Sequence, residues 1–329
     1  MRHGISGYLA ATDIGSRSDF DLTHMVREVG DMATVIERAS VGSGDQKLFD
    51  LPVDRNILFS DHNGKFKRGL EKRQTKLVEK LVFLKPFLKD DEKILLITTG
   101  CSPMSLLEQV VTGWLVYYLK RSLIVFTNMR IFHIPAKGDF SYRNSIARIN
   151  YSDCKGISMK RSCLEVRYEN GTREKFIYID RKERRKIKAL LSATSFEGVH
   201  AAAGGRTHLC PRCTADLVKD KYTCPSCRLA FKNISDGRRT SIIYPGGGYF
   251  YTRHPVLGVG DAITELVLLV LVVVSLIDAL QGNGNGFVPL AIWGTALIIE
   301  KSISVYHSNH FINEYIPEEK VVQTLGGPK

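Results

Sequence analysis

Four cysteines constrain what this chain can fold into more tightly than any other feature. Cys210 and Cys213 form one Cys-Pro-x-Cys pair, Cys224 and Cys227 a second, and the ten residues TADLVKDKYT lie between them. A two-residue gap lets two thiolates converge on one cation, and two such knuckles complete the tetrahedron that zinc prefers. Each proline fixes φ and stiffens its knuckle. A redox pair is not expected, because no βαβ pattern surrounds either knuckle. Four thiolates leave no coordination position for water or substrate, so the expected cofactor is a structural Zn2+. So short a segment buries little core, and metal binding would supply its folding free energy.

The remaining cysteines, Cys101, Cys154 and Cys163, make the total odd. With four on a metal, that argues against a secreted disulfide framework and for a reducing compartment. The amino terminus, MRHGISGYLAATDIGSRSDFD, lacks the apolar core of a signal peptide. The formal charge of +12 is spread along the chain, which suits nucleic acid and an anionic membrane surface alike. Arg206, Arg212, Lys219, Lys221, Arg228, Lys232, Arg238 and Arg239 outnumber Asp216, Asp220 and Asp236 around the knuckles. That excess could meet nucleic-acid phosphates, a docking protein or anionic lipid.

Two apolar segments follow, at 262–280 and 287–305, around QGNGNG. Each approaches the ~20 residues needed to cross a bilayer core. Their charge-free stretches, 266–277 and 287–299, are short enough to suit a buried core pair as well. Two features favour spanning. A run such as LVLLVLVVV has no polar helical face. In an antiparallel hairpin Glu265 falls beside Lys301, near one end of both helices, where the two can form an intramembrane ion pair. Arg238, Arg239, Arg253, Lys301 and Lys320 flank the pair while the turn has no cation, so both termini are expected in the cytoplasm. The expected location is therefore the cytoplasmic (inner) membrane.

The lead-in PGGGYFYTRHPVLGVGDA resembles small two-helix membrane modules, whose first helix follows a Pro-Gly, Gly-aromatic-Tyr motif. Its glycines permit tight turns, and Tyr249, Phe250 and Tyr251, with Arg253, suit the headgroup layer. A phosphate cradle is not expected, for the stretch lacks the Lys-Ser/Thr of a P-loop and a preceding strand. The cysteine segment, about 207–232 with Phe231 after the second knuckle, resembles the zinc ribbon family.

Upstream, residues 90–193 read mostly as strand. CLEVRYENGTREKFIYID is the clearest signal, two alternating runs around Asn170-Gly171, the favoured type I′ hairpin turn. A helix is expected from Asp180, with Glu183 completing a capping box. LIVFTNMRIFHIP, with Thr127, Asn128 and Arg130, followed by strands and a closing helix, resembles the bacterial PH-like domains. The resemblance covers about 88–193 and implies a seven-stranded barrel with a C-terminal helix; such folds bind lipids and proteins alike.

Between the first two strands lies CSPMSLLEQVVTGWLVYYLKR, apolar at helical spacing. Packing on the sheet or on a second subunit competes there with a membrane-interface role for Trp114, Tyr118, Lys120 and Arg121. Leu70, Leu77, Leu81 and Leu84 fall near heptad spacing in a basic segment, which predicts helix packing or self-association. His307 and His310 could ligate a metal but lack further ligands.

The fold class expected is thus α+β and multidomain: a helical region (1–87), a PH-like β-barrel with C-terminal helix (88–195), a small zinc ribbon (205–233), a Gly/aromatic lead-in (234–261), a C-terminal transmembrane α-hairpin (262–306) and a cytoplasmic tail (307–329). No nucleophile elbow or H-E-x-x-H appears, so no enzyme is expected. The expected function is a membrane-anchored adaptor or sensor whose partners are membrane lipids and a protein, with a homo-oligomer possible. The alternative is a membrane-tethered nucleic-acid-binding protein using the ribbon and the basic amino-terminal helix.

Overall fold

The computed structural model of the protein describes residues 47–104, 119–193, 205–281, 286–319 and 321. Two short strands, β1 (Lys47–Leu48) and β2 (Leu51–Pro52), form a hairpin ahead of helices α1 (Arg55–Leu58) and α2 (Arg68–Glu79) and a 3-10 helix, Val82–Phe87. The leucines at heptad-like spacing are used within the chain. Leu77, Leu81 and Leu84 are buried with Leu51, Val53 and Leu58 against strand residues such as Ile97, Leu123, Val125 and Phe132. The boundary expected at 87/88 therefore does not separate two cores.

Seven antiparallel strands carry the larger body: β3 (Ile94–Cys101), β4 (Arg121–Thr127), β5 (Arg130–Pro135), β6 (Ile146–Asn150), β7 (Cys154–Lys160), β8 (Cys163–Tyr168) and β9 (Arg173–Phe176). β4 shows why its run reads as nearly uninterrupted apolar residues. Alternate side chains point to opposite faces of a strand. Leu123 and Val125 enter the core with α2, while Ile124 and Phe126 enter a second core closed by Ile187, Leu190 and Leu191 of α3 (Arg184–Ala193).

The closed barrel expected here is not what forms. β3 to β6 pair in succession, a 3-10 turn at Tyr151–Asp153 breaks the ladder, and β7, β8 and β9 make a separate sheet. An isolated bridge between Cys101 and Ile177 links the two sheets.

The Thr-Asn-x-Arg residues have a structural task. Arg130 grips Glu92 with Nε (3.0 Å) and a terminal nitrogen (2.7 Å), and also donates to the Phe87 carbonyl. Asn128 accepts from the Lys93 amide and donates to the Asp91 carbonyl. The β4–β5 turn is thereby stitched to residues 87–93. Two local expectations shift. Only Gly171 adopts positive φ (83°) while Asn170 does not, so the hairpin turn is not type I′. Glu183 closes no capping box: its carboxylate pairs with Arg73 and accepts from Gln74 of α2, while its carbonyl takes the Ile187 amide as α3 starts one residue later.

β10 (Thr207–Leu209) adds antiparallel to β6, giving a five-stranded sheet ordered β10-β6-β5-β4-β3. The cysteine segment therefore begins as an edge strand of the main sheet. After it come α4 (Ile234–Ile243), α5 (Gly247–Tyr251) and two 26-residue helices, α6 (Pro255–Leu280) and α7 (Phe287–Ile312). Both are long and apolar enough to cross a membrane. They extend beyond the expected 262–306, because α6 starts at Pro255, with proline favoured in a first turn, and α7 continues through His307. The turn residues 282–285 lie outside the described residues.

Candidate metal centre

The two knuckles are built alike. In the first, the Cys210 amide donates to Ala215 O (2.8 Å) and the Thr214 amide to Cys210 O (3.0 Å). In the second, Cys224 donates to Leu229 O (2.9 Å) and Arg228 to Cys224 O (3.1 Å). Thr214 and Arg228, each just after a second cysteine, take positive φ (61° and 57°), which turns the chain so that both thiols of a knuckle face inwards. Bridges Leu209–Asp216 and Thr223–Ala230 close the two loops.

The four Sγ atoms lie within 4.8 Å of one another, and no disulfide joins them. Cys210–Cys227 and Cys213–Cys224 are each 3.5 Å apart. A tetrahedral zinc with Zn–S bonds of about 2.3 Å requires sulfur separations of about 3.8 Å, so the cluster is compatible with such an ion. Burial pushes the Cys210 thiol up. Burial also opposes the Cys213 thiolate, yet the Ala215 amide and the neighbouring thiols bring that thiol down to about 7. Four thiolates this close repel one another, and a divalent cation is the natural counter-charge. With all four positions on sulfur, such an ion can hold the fold but cannot activate water.

The cysteine segment is wedged between the main sheet and the residues after α7. Tyr315 packs on His208, Tyr222 and Phe231, and its hydroxyl donates to Val218 O (2.9 Å). Lys232 donates its amide to Ile316 O, and Glu318 donates to Ala230 O. Within the segment expected as a tail (307–329), Phe311, Tyr315 and Ile316 are buried. Their apolar spacing was the available signal.

The lead-in and helices form a second cluster. Lys301 Nζ lies 2.7 Å from Glu265 Oε2, which makes the expected pair, and it also donates to the carbonyls of Ser241 (2.9 Å) and Tyr244 (3.3 Å). Glu265 Oε2 accepts from the Gly246 amide (3.2 Å). Ser304 donates to Asp261 (3.0 Å). The lead-in glycines chiefly permit close approach: a Cβ on Gly247 would stand 2.2 Å from Thr240 O, and one on Gly246 (φ 65°) 2.0 Å from Gly258 O.

The aromatic triplet divides. Phe250 is exposed, but Tyr249 is buried with its hydroxyl 2.5 Å from His307 Nδ1, and Tyr251 is half-buried beneath Lys232. Tyr249 therefore packs inside the junction and is not presented to headgroups. His307, buried by this contact, faces Tyr249 and no metal cluster. Arg253 donates to the Glu318 carbonyl (2.5 Å). Lys120 is buried with Nζ 4.9 Å above the Phe311 ring, and Arg121 reaches Gly138 O and stacks over Phe140, so both cations serve the fold. Trp114 and Tyr118 lie outside the described residues. His254 stacks on Phe311 and touches Arg143, and burial, reinforced by that guanidinium, lowers it to about 3.

One pair suggests a nucleophile: Ser102 Oγ is 2.9 Å from His133 Nε2. Both are fully buried, and the other ring nitrogen faces Arg206 (3.2 Å), where a catalytic histidine would meet a carboxylate. Burial, then Arg206, drives His133 far below its ordinary value. Through Ser102 and Arg206, His133 ties β5 to the end of β3 and to the residues ahead of the knuckles.

Comparison with protein-family models, curated proteins and solved structures finds no match. The resemblances to ribbon, PH-like and two-helix modules therefore rest on the residues themselves.

Proposed function

We propose that this chain is a non-enzymatic, membrane-anchored adaptor or sensor, with α6 and α7 crossing the cytoplasmic membrane and both termini on its inner side. The two sheets and α3 form its PH-like domain, and the ribbon is stapled by zinc. The observation that carries this reading is the continuity of packing from sheet to helices. β10 extends the sheet, the knuckles follow at once, and Tyr315, just past α7, fills the ribbon core. A domain coupled so tightly to the anchor is held close to the leaflet, where its outer faces can meet a protein or lipid headgroups. The apolar flanks of both helices support spanning, since Leu266, Val270, Val274, Ile292 and Ile298 face outwards.

The test is mild crosslinking of the full chain in native membranes, followed by alkaline carbonate extraction. The expected result is a carbonate-resistant protein joined to one defined, stoichiometric protein partner. Release into carbonate would refute the anchor. Recovery of nucleic acid with steep salt dependence would move the function to the alternative class.

A further inference from the structure

The lead-in does not simply connect ribbon to membrane. α4 descends antiparallel to the end of α7, since Gly237 packs at Ile312 and Ser308, while Ser241 and Tyr244 reach Lys301. The chain then turns at Pro245-Gly246 and climbs back through α5. Tyr251 accepts from the Asn233 amide at the start of α4 (3.2 Å), and His254 stacks on Phe311. Residues 234–251 are thus a helical hairpin pointing into the same layer that α6 and α7 cross.

Depth follows from helix rise. Gly246 lies against Gly258 and Ala262 of α6. From Ala262 to Leu280 the helix rises about 27 Å, and from Gly258 about 33 Å, at about 1.5 Å per residue. The hydrocarbon layer is about 30 Å thick, so the turn lies at its edge. At that depth irregular backbone persists only where its polar groups have partners inside the protein. Those partners are present. The amide that would serve the Ser241 carbonyl in a continuing helix belongs to Pro245 and is missing, and Lys301 replaces it. Lys301 also reaches the Tyr244 carbonyl, and Glu265 takes the Gly246 amide. The three ammonium donors have three acceptors: two carbonyls of the turn and Glu265. Beside this turn, Ile242, Ile243 and Tyr244 expose 62%, 55% and 61% of their surface. On α6, Val259 and Ile263 are exposed as well. Arg238 and Arg239, exposed a turn or so further back, fall at headgroup height.

We propose that residues 234–251 form a re-entrant hairpin whose tip, Ile242, Ile243 and Tyr244, contacts the acyl chains of the cytoplasmic leaflet, with the Lys301–Glu265 pair capping its backbone. This rests on the reading that α6 and α7 span the bilayer.

The test uses the full chain in phosphatidylcholine vesicles, with Trp114→Phe and Tyr244→Trp. Trp293 in α7 is kept as the internal standard for spanning, and the Trp114→Phe chain alone supplies its baseline. Lipids brominated at upper acyl carbons should quench the added indole to an extent comparable with Trp293, while aqueous iodide should cause only a marginal loss. Quenching of Trp293 by bromine together with quenching of the added indole by iodide alone would overturn the re-entrant hairpin and leave the span intact. Loss of bromine quenching at Trp293 would overturn both. If Tyr244→Trp disturbs packing, Ile243→Trp carries the same comparison. Adding Lys301→Gln should shift the tip towards iodide. An unchanged profile would refute the capping role of the pair.

Discussion

Two clamps hold turns that could not hold themselves, and they work by opposite means. In the cysteine segment, four sulfurs from two adjacent knuckles gather on one point, and each knuckle is shaped by its own amides. At the lead-in, the clamp is an ion pair whose members come from two different helices, and neither lies within the turn it secures. The first is local and would need an external cation to balance its thiolates. The second is assembled only once α6 and α7 have paired, and it carries its own counter-charge. A metal-dependent turn can be opened by a chelator, whereas the ion-pair turn opens only when a helix changes.

The largest effect is expected from breaking the metal clamp. Cys210→Ser should abolish stoichiometric zinc binding and expose residues 205–233 to protease, because structural zinc supplies on the order of 10 kcal/mol to such segments. Metal analysis with limited proteolysis measures it; a protected variant with full zinc content would count against the assignment.

Next comes the ion-pair clamp. Lys301→Met leaves Glu265 and two carbonyls without their cation, and breaking a buried pair on one side costs about 3–5 kcal/mol. Thermal unfolding in detergent should show a large drop that zinc does not restore. Adding Glu265→Leu should recover only part of it, since the Ser241 and Tyr244 carbonyls stay uncapped. Full recovery would show that the pair serves only itself.

A smaller effect calibrates both clamps against an ordinary buried pair in the sheet domain. Burial works against the Glu92 carboxylate, but Arg130, the Lys89 amide and Thr127 outweigh it and hold its pKa below the usual value. Stabilisation from this group is therefore complete above its unfolded pKa of about 4.3 and is lost as pH falls through the lower folded value. Glu92→Gln should cost about 1.5–3 kcal/mol at pH 7, the range for hydrogen bonds to charged groups. The gap between variant and parent should narrow below pH 4. Denaturant unfolding at both pH values checks this, and a gap that widens in acid would contradict it.

The difference between the clamps also explains what the sequence made legible. Two Cys-Pro-x-Cys pairs specify a tetrahedron because ligand spacing is a short-range property, and the knuckle residues meet as that spacing requires. Two long apolar runs specify helices for the same reason, and Glu265 could be set beside Lys301 by counting along an antiparallel pair. Beyond such local rules the reading weakened. Tyr249 looked like a headgroup aromatic because nothing nearby shows that His307, some sixty residues on, closes over it. Lys120 looked like a flanking cation because its Phe311 partner lies at the far end of the chain. The glycines of the lead-in read as formers of tight turns, and what the sequence does not show is their close approach to carbonyls of α4 and α6. The barrel resolved into two sheets because a single 3-10 turn interrupts the ladder, a choice that strand patterns do not encode.

The pairing of β10 with β6 would give a metal held by the knuckles a protective duty. Thr207, His208 and Leu209 occupy the outer rim of the five-stranded sheet, and Cys210 is the next residue. The knuckle thus anchors the strand that covers Ile146, Ala147 and Arg148. Once that strand peels away, a row of unpaired amides and carbonyls faces outwards, a template for pairing with a strand from another molecule. Loss of a metal from the knuckles would then show first as clumping of otherwise folded copies.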